Sequence, residues 1–177
     1  MFEIKEIDPH HYRVKTRNAT LRVMALFIAL GFLTSYFFPK LFGENPHNLL
    51  TLQIMGALIG LGIVFWITAK FFRHQPWMQE AMYGWQLKRS LMHITNAMRP
   101  LQEKVEAGDT EAMKILRFYH LGITQMYTFE QNTSGLIDLK VEKDQLAAKM
   151  RELGLETEQT QFELAKLKAV IGDKEQN

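Results

Sequence analysis

A run of 21 residues without an ionisable side chain, LLTLQIMGALIGLGIVFWITA at residues 49–69, constrains this chain more than any other feature. An α-helix rises about 1.5 Å per residue, so a helix of this run is roughly 30 Å long. That length matches the hydrocarbon core of a bilayer, where a helix satisfies its backbone hydrogen bonds internally. The run therefore predicts a membrane-spanning helix.

A second apolar segment, at residues 21–38, precedes this run. Arg22 lies at its edge, where its long side chain reaches the lipid headgroups, and Tyr36 lies near its other end, where aromatic rings are typical of the interface. The connection at residues 39–48, PKLFGENPHN, contains two prolines and a glycine and is expected not to continue the helix. The two spans therefore predict a transmembrane hairpin.

Basic residues flank the hairpin, whereas its connection contains one lysine. Cytoplasmic segments carry the excess of Lys and Arg beside a membrane, so residues 1–20 and 70–177 are both expected to be cytoplasmic. The connection at 39–48 is then extracytoplasmic. Because about twenty mostly polar residues come first and no small-residue cleavage site follows the apolar segment, a retained anchor is expected and not a secretory signal.

Amphipathic helices are predicted beyond the second span. One apolar stripe recurs at alternating spacings of four and three residues, at Leu87, Leu91, Ile94, Met98, Leu101 and Val105. Pro100 lies inside this stripe and predicts a kink or restart near Arg99. A second stripe follows the same spacings, at Ala112, Leu116, Tyr119, Ile123 and Met126. Between the stripes, Gly108 is expected to close one helix and Asp109 or Thr110 to cap the next.

The last region carries a heptad-like pattern of leucines. Lys and Thr occupy several core positions, and Gly154 interrupts the pattern. Two helices at 136–153 and 157–171 are therefore favoured over one uninterrupted coiled coil, with a short coiled coil as the alternative. Together, these patterns predict an all-α fold, in which a two-helix transmembrane hairpin is followed by a cytoplasmic helical domain at residues 70–177.

Two groups of residues are candidates for packing and for contact with lipid. Gln53, Gly56, Gly60 and Gly62 lie in the second span, where small residues four apart let helices approach closely and a glutamine can bond across helices. Their partner is either the first span or another copy of the chain. The interfacial candidates are Arg22, Tyr36, Arg73, Trp77 and Trp85. For Trp77 and Trp85, the alternative is a place in the core of the bundle.

The sequence indicates neither an enzyme nor a cofactor or metal protein. The chain has no cysteine, which excludes disulfides and thiolate metal sites. His10 and His11 are adjacent, which is poor geometry for joint ligation, and His47 lies in the connection; His74, His93 and His120 lack a His or carboxylate at the spacing of a helical metal pair. The hydrolase, zinc-protease, P-loop and dinucleotide-binding motifs are absent. No catalytic, cofactor-binding or metal-binding residue is therefore predicted. Charge is basic beside the membrane and acidic in the distal part, which argues against nucleic acid.

Three segments resemble a family of bacterial inner-membrane proteins known only as a domain of unknown function. They are EIDPHHYR near the start, RHQPWMQEAMYGWQLK at residues 73–88 and LRFYHLGITQMYTFEQNT at residues 116–133. The resemblance implies two transmembrane helices, a cytoplasmic helical region and a place in the bacterial inner membrane. It implies no activity, cofactor or site residues.

The first hypothesis is a non-enzymatic anchor, in which the hairpin holds a cytoplasmic helical bundle that acts as a structural or interaction module. Its expected partners are the lipid bilayer and either another copy of the chain or a partner membrane protein. The alternative is a small oligomeric channel in which several hairpins surround a pore.

Overall fold

The structure is a computed structural model that describes residues 1–43, 45 and 47–172. Glu44 and Pro46, which fall in the predicted connection, and residues 173–177 lie outside the described part. The chain forms two compact units. We call Val14–Met82 the hairpin unit, and we call Met1–Arg13 together with the described chain from Tyr83 onward the bundle unit; each is described by itself.

Helices dominate the described chain, which confirms the all-α prediction. In chain order the elements are β1 (Phe2–Glu3), α1 (Pro9–Phe42), α2 (Leu49–Lys70), α3 (Gln79–Asn96), α4 (Met98–Glu106), α5 (Thr110–Glu130), α6 (Thr133–Glu152), β2 (Gln161–Phe162) and α7 (Leu164–Ile171). Two 3-10 turns, Phe72–His74 and Pro76–Met78, separate α2 from α3.

The hairpin unit contains the two apolar segments within α1 and α2. Both Pro9–Phe42 and Leu49–His74 are long and apolar enough, by length and composition, to cross a bilayer. The expectation that residues 39–48 do not continue the first helix is wrong for residues 39–42, because α1 continues through Pro39 to Phe42. A proline in the last turn removes only one helical N–H, and the helix ends instead at Gly43, whose φ of +77° favours glycine.

The bundle unit buries the two predicted stripes against each other. Its core contains Leu87, Leu91, Ile94, Leu101, Val105, Ala112, Leu116, Phe118, Met126 and Phe129, while Met98, Tyr119 and Ile123 are partly buried around it. Gly122 of α5 lies against α3, since an added β-carbon would be 2.9 Å from a methyl carbon of Leu91. The periodicity thus predicted the core-facing sides of α3, α4 and α5 correctly.

Local capping explains where α4 begins and ends. The break from α3 falls at Ala97. This places Pro100 in the first turn of α4, where its missing N–H has no helical partner to lose. At the other end, Gly108 has a φ of +88°, and the Asp109 N–H bonds the Lys104 carbonyl at 3.0 Å, so α4 closes as a Schellman motif.

Asp109 then begins α5, because its carboxylate accepts the backbone N–H groups of Glu111 and Ala112. The predicted roles of Gly108 and Asp109 are both confirmed.

The predicted helix at 157–171 is wrong in its first half. After α6, Gly154 adopts a φ of +68° and a second Schellman motif closes, with the Leu155 N–H donating to the Met150 carbonyl at 2.9 Å. The chain then extends and β2 pairs antiparallel with β1, so that Phe2 faces Phe162. Helix α7 begins only at Leu164. Since α6 and α7 are not continuous, the described residues give no support for a coiled coil.

Candidate functional site

Two glycines of α2 lie directly against α1. A β-carbon added at Gly56 would lie 2.5 Å from the carbonyl oxygen of Thr34 and 2.9 Å from the α-carbon of Ser35. At Gly60 it would lie 3.0 Å from the α-carbon of Gly31. These are backbone atoms, which cannot rotate away as a side chain can. Glycine is therefore required at both positions for this helix spacing.

The other two predicted packing residues of α2 lie elsewhere. An added β-carbon at Gly62 would meet no atom within 4 Å, so this glycine faces open space and not α1. Gln53 is half-buried one turn before Gly56. Within the described residues, the Gln53 side chain makes no hydrogen bond across the hairpin.

Two of the predicted interfacial residues meet within the hairpin unit. The guanidinium of Arg22 lies over the ring of Trp77, 5.2 Å from its centroid, which is the geometry of a cation–π contact. The half-buried Trp77 also meets Phe72 edge-on at 5.1 Å between ring centroids. Arg22 of α1 is thereby tied to the chain that follows α2.

The remaining interfacial candidates are exposed and lie apart from that pair. Tyr36 accepts a hydrogen bond from the Lys40 ammonium at 2.5 Å, one turn later on α1. Arg73 lies exposed in the first 3-10 turn. Trp85 belongs to the bundle unit and is 52% exposed, with the Arg89 guanidinium 5.3 Å from its ring centroid, so it is not a core residue.

The N-terminal segment is fixed to the bundle unit by contacts that the sequence did not reveal. The Tyr83 hydroxyl accepts the Lys5 N–H at 3.0 Å and donates to the Gln125 side chain at 2.5 Å. Tyr12 stacks on Phe129 at 3.9 Å between centroids. Burial raises the pKa of Tyr83 above 10.0, against the smaller effects of its two hydrogen bonds, so the hydroxyl stays protonated.

A buried arginine holds the segment that follows α6. The Arg117 side chain of α5 donates to the carbonyls of Thr157 at 2.8 Å and Lys143 at 3.1 Å. Burial lowers its pKa, while the carboxylates of Glu158 and Asp144 oppose that shift. A buried charge needs such partners, so this contact fixes the non-helical chain against α5.

One helical turn later, His120 is 3% exposed and its Nδ1 atom has no hydrogen-bond partner among the described residues. Its pKa is lowered from 6.5 to about 4, first by burial and then by the positive charges of Arg117 and Lys143. The imidazole is therefore neutral near pH 7. A buried ring nitrogen without a hydrogen-bond partner is rare in a folded core.

His120 forms part of the wall of a groove of about 580 Å³ between α4, α5 and α6. We call it the His120 groove. Its lining residues are Met98, Gln102, Val105, Glu106, Leu116, Tyr119, His120, Leu139, Glu142, Gln145, Leu146 and Lys149. Neither the groove nor the state of His120 was predicted from the sequence.

The part of the chain that the structure describes contains no cluster of side chains that could bind a metal ion. No three His, Cys, Asp or Glu side chains converge there as a metal site requires. The lining of the His120 groove combines apolar side chains with exposed polar ones.

Comparison with known families identifies the chain. Residues 2–167 match the family described as "Protein of unknown function (DUF3087)", so the chain belongs to this family. No curated protein and no solved structure is significantly similar to it.

The helix contact at Gly56 can be tested against Gly62 on the same helix. We expect Gly56→Ala to destabilise the hairpin unit by about 1–3 kcal/mol, because the new methyl group meets the α1 backbone. Gly62→Ala should be neutral or slightly stabilising, since it meets open space and alanine favours a helix. The measurement is the thermal unfolding midpoint of the detergent-solubilised protein. Equal effects of the two variants would contradict the packing described above.

Protonation of His120 should make the bundle unit less stable in acid. The unfolded state binds a proton near pH 6.5 and the folded state only near pH 4, so stability is complete above pH 7 and falls as the pH drops through that window. From pH 7 to pH 5 this histidine should cost about 2 kcal/mol. Denaturant titrations at both pH values measure the loss, and His120→Gln, which cannot titrate, should show a loss smaller by that amount. An unchanged pH dependence would contradict the lowered pKa.

Proposed function

We propose that this member of the DUF3087 family is an integral protein of the bacterial inner membrane, in which the hairpin anchors a cytoplasmic helical bundle. The bundle acts as a structural or interaction module and not as an enzyme. It binds either another copy of the chain or a partner membrane protein.

The distribution of exposed apolar side chains is the observation that carries this proposal. Of the 27 large apolar side chains that are exposed among the described residues, 21 lie between Leu21 and Phe71. Water-soluble proteins rarely expose apolar patches of that extent. Gly56, Gly60 and Val64 are instead the buried residues of α2. An apolar exterior around a small-residue contact is the arrangement that lipid favours.

The flanking charges support the orientation. Arg13, Lys15 and Arg17 precede the apolar part of α1, and Lys70 and Arg73 follow that of α2. Anionic lipids and the positive-inside rule favour these bases on the cytoplasmic side. Both termini are then cytoplasmic, with the turn between α1 and α2 on the opposite side.

Exposed apolar residues of α6 support the interaction role of the bundle. Ile137 is 70% exposed and Val141 is 61% exposed, and the two lie one turn apart on the same side of the helix. The facing surface of a second copy or of a partner helix would cover them. Together with the absence of a catalytic motif, this favours association over catalysis.

Single cysteines can test the topology, because the chain has none of its own. We expect His47→Cys, in the turn between the spans, to react with a membrane-impermeant maleimide in intact cells. Lys104→Cys, which is exposed on α4, serves as the matched control and should react only after lysis. The protein should also stay in the membrane after an alkaline carbonate wash. Labelling of Lys104→Cys from outside, or release by carbonate, would contradict the proposal.

A small oligomeric channel is the second candidate, and the position of Gly62 favours it. This glycine faces open space on α2 and would admit the close approach of a helix from another hairpin. Apolar side chains surround it on the exposed side of α2, including Leu58, Ile59 and Phe65.

Reconstitution of the purified protein into planar bilayers distinguishes the channel from the anchor. The anchor proposal predicts no unitary conductance under voltage or tension, together with crosslinked dimers or a reproducible partner in membranes. Unitary currents that Gly62→Leu abolishes would favour the channel. A strictly monomeric protein that crosslinks to no partner would contradict the interaction role.

A further inference from the structure

A groove opens between α1 and α2 where their backbones are no longer in contact. On the side of α2 that faces α1, Gly56 and Gly60 touch the α1 backbone, and Val64 follows one turn later. A valine side chain requires a wider spacing of the helices than glycine does. The space beside Val64 has a volume of about 400 Å³, and we call it the hairpin groove. Its floor is formed by the buried Ala19, Val64 and Met78, and its walls by the exposed Met24, Phe27 and Leu61.

The lining of the hairpin groove favours a hydrocarbon chain. No charged side chain lines it among the described residues. Thr20, which also lines the groove, donates its hydroxyl to the Thr16 carbonyl at 3.0 Å, so this polar group already has a partner. The exposed walls leave the groove open to the surroundings of the hairpin. In a bilayer, the apolar molecule that surrounds the hairpin is the acyl chain of a lipid.

Arg22 lies on the side of α1 that carries the groove floor. It follows Ala19 by one helical turn and directly precedes Val23, and both of these residues line the groove. Its guanidinium lies over the ring of Trp77, the residue before Met78. Within the described chain Arg22 makes no ion pair, and an aromatic ring is not a carboxylate, so its N–H donors remain available to an anion. The planar guanidinium is suited to bidentate binding of phosphate.

The charge of this end of the hairpin unit selects the lipid. Four more exposed bases lie there, and the acidic residue among the described residues at this end is the half-buried Glu80. A surplus of positive charge attracts anionic lipids over zwitterionic ones, whose headgroups carry a cation of their own. The four bases are Lys15, Arg17, Lys70 and Arg73.

We propose that the hairpin groove and Arg22 together bind one anionic phospholipid of the cytoplasmic leaflet. An acyl chain lies on Ala19, Val64 and Met78, and the phosphate accepts hydrogen bonds from the Arg22 guanidinium. This inference rests on the membrane location proposed above, to which it adds a binding site and the class of lipid bound.

Native mass spectrometry of the full-length protein in detergent tests the lipid preference. The probes are dioleoyl phosphatidylglycerol and dioleoyl phosphatidylcholine, which have the same acyl chains and differ in headgroup charge. We expect one saturable site that binds phosphatidylglycerol about 5-fold more tightly than phosphatidylcholine, because one base near the headgroup contributes about 1 kcal/mol. Equal affinities for the two lipids would overturn the proposal.

A pair of charge variants tests whether Arg22 forms the site. Arg22→Gln should weaken binding of phosphatidylglycerol about 5-fold and leave phosphatidylcholine nearly unchanged. Lys70→Gln is the matched control, because it removes the same charge from the end of α2 and does not line the groove. It should weaken binding by less than about 2-fold, since the phosphate is held at Arg22. Equal losses in the two variants would indicate diffuse attraction to the bases and would overturn the proposal.

A pair of tryptophan variants tests the groove itself. Thr20→Trp places a large ring in the groove and should abolish the tight binding of phosphatidylglycerol. Leu21→Trp, at the next residue and outside the groove, should bind as the wild type does. Thermal unfolding midpoints show whether both variants fold, and if Thr20→Trp does not, the comparison of Arg22→Gln with Lys70→Gln still decides. Tight binding by a folded Thr20→Trp would overturn the proposal.

Failure of this inference can be told apart from failure of the proposed function. Release of the protein by the carbonate wash would contradict the membrane location and, with it, the lipid site. A protein that stays in the membrane but binds the two lipids equally retains the proposed anchor and loses only the site at Arg22.

Discussion

The close backbone contact between α1 and α2 is the constraint on which the hairpin unit depends. Gly56 and Gly60 bring α2 against the backbone of α1 at Thr34 and Gly31. Because this contact uses small residues, the large apolar side chains of both helices remain on the outside. Water would penalise that exterior, whereas lipid would solvate it. The packing and the proposed location therefore have the same physical cause.

The sequence predicted the helices of the bundle correctly where local turn and cap preferences agree with burial of the apolar stripes in the core. Gly108 and Asp109 have the turn and cap geometries that their side chains favour, and the stripes of α3 to α5 are buried as their spacing requires. The predicted end of the first helix before Pro39 was wrong, because a proline near a helix end costs little stability. The prediction was also wrong after Gly154, where Phe162 is buried by pairing β2 with β1. No local pattern encodes a partner about 160 residues away.

The candidate site could not be predicted from the sequence either, because it too depends on contacts between segments that are distant in the chain. His120 and Arg117 look like ordinary polar positions on an amphipathic helix, and both are buried by segments distant in the chain. The groove forms only when α6 returns along α5 after the turn at Gln131, whose φ of +56° closes α5. A sequence shows that histidine is present, but its missing hydrogen bond is a property of the packed fold.

In the bundle unit, Arg117 contacts the extended chain that follows α6 and also affects the imidazole of His120. Its guanidinium holds the extended chain through the Thr157 carbonyl, and its charge also helps to keep His120 neutral. A lysine at this position would bring the charge but not the planar array of donors that reaches two carbonyls. The return of the chain after α6 and the chemistry of the groove wall are therefore coupled through one side chain.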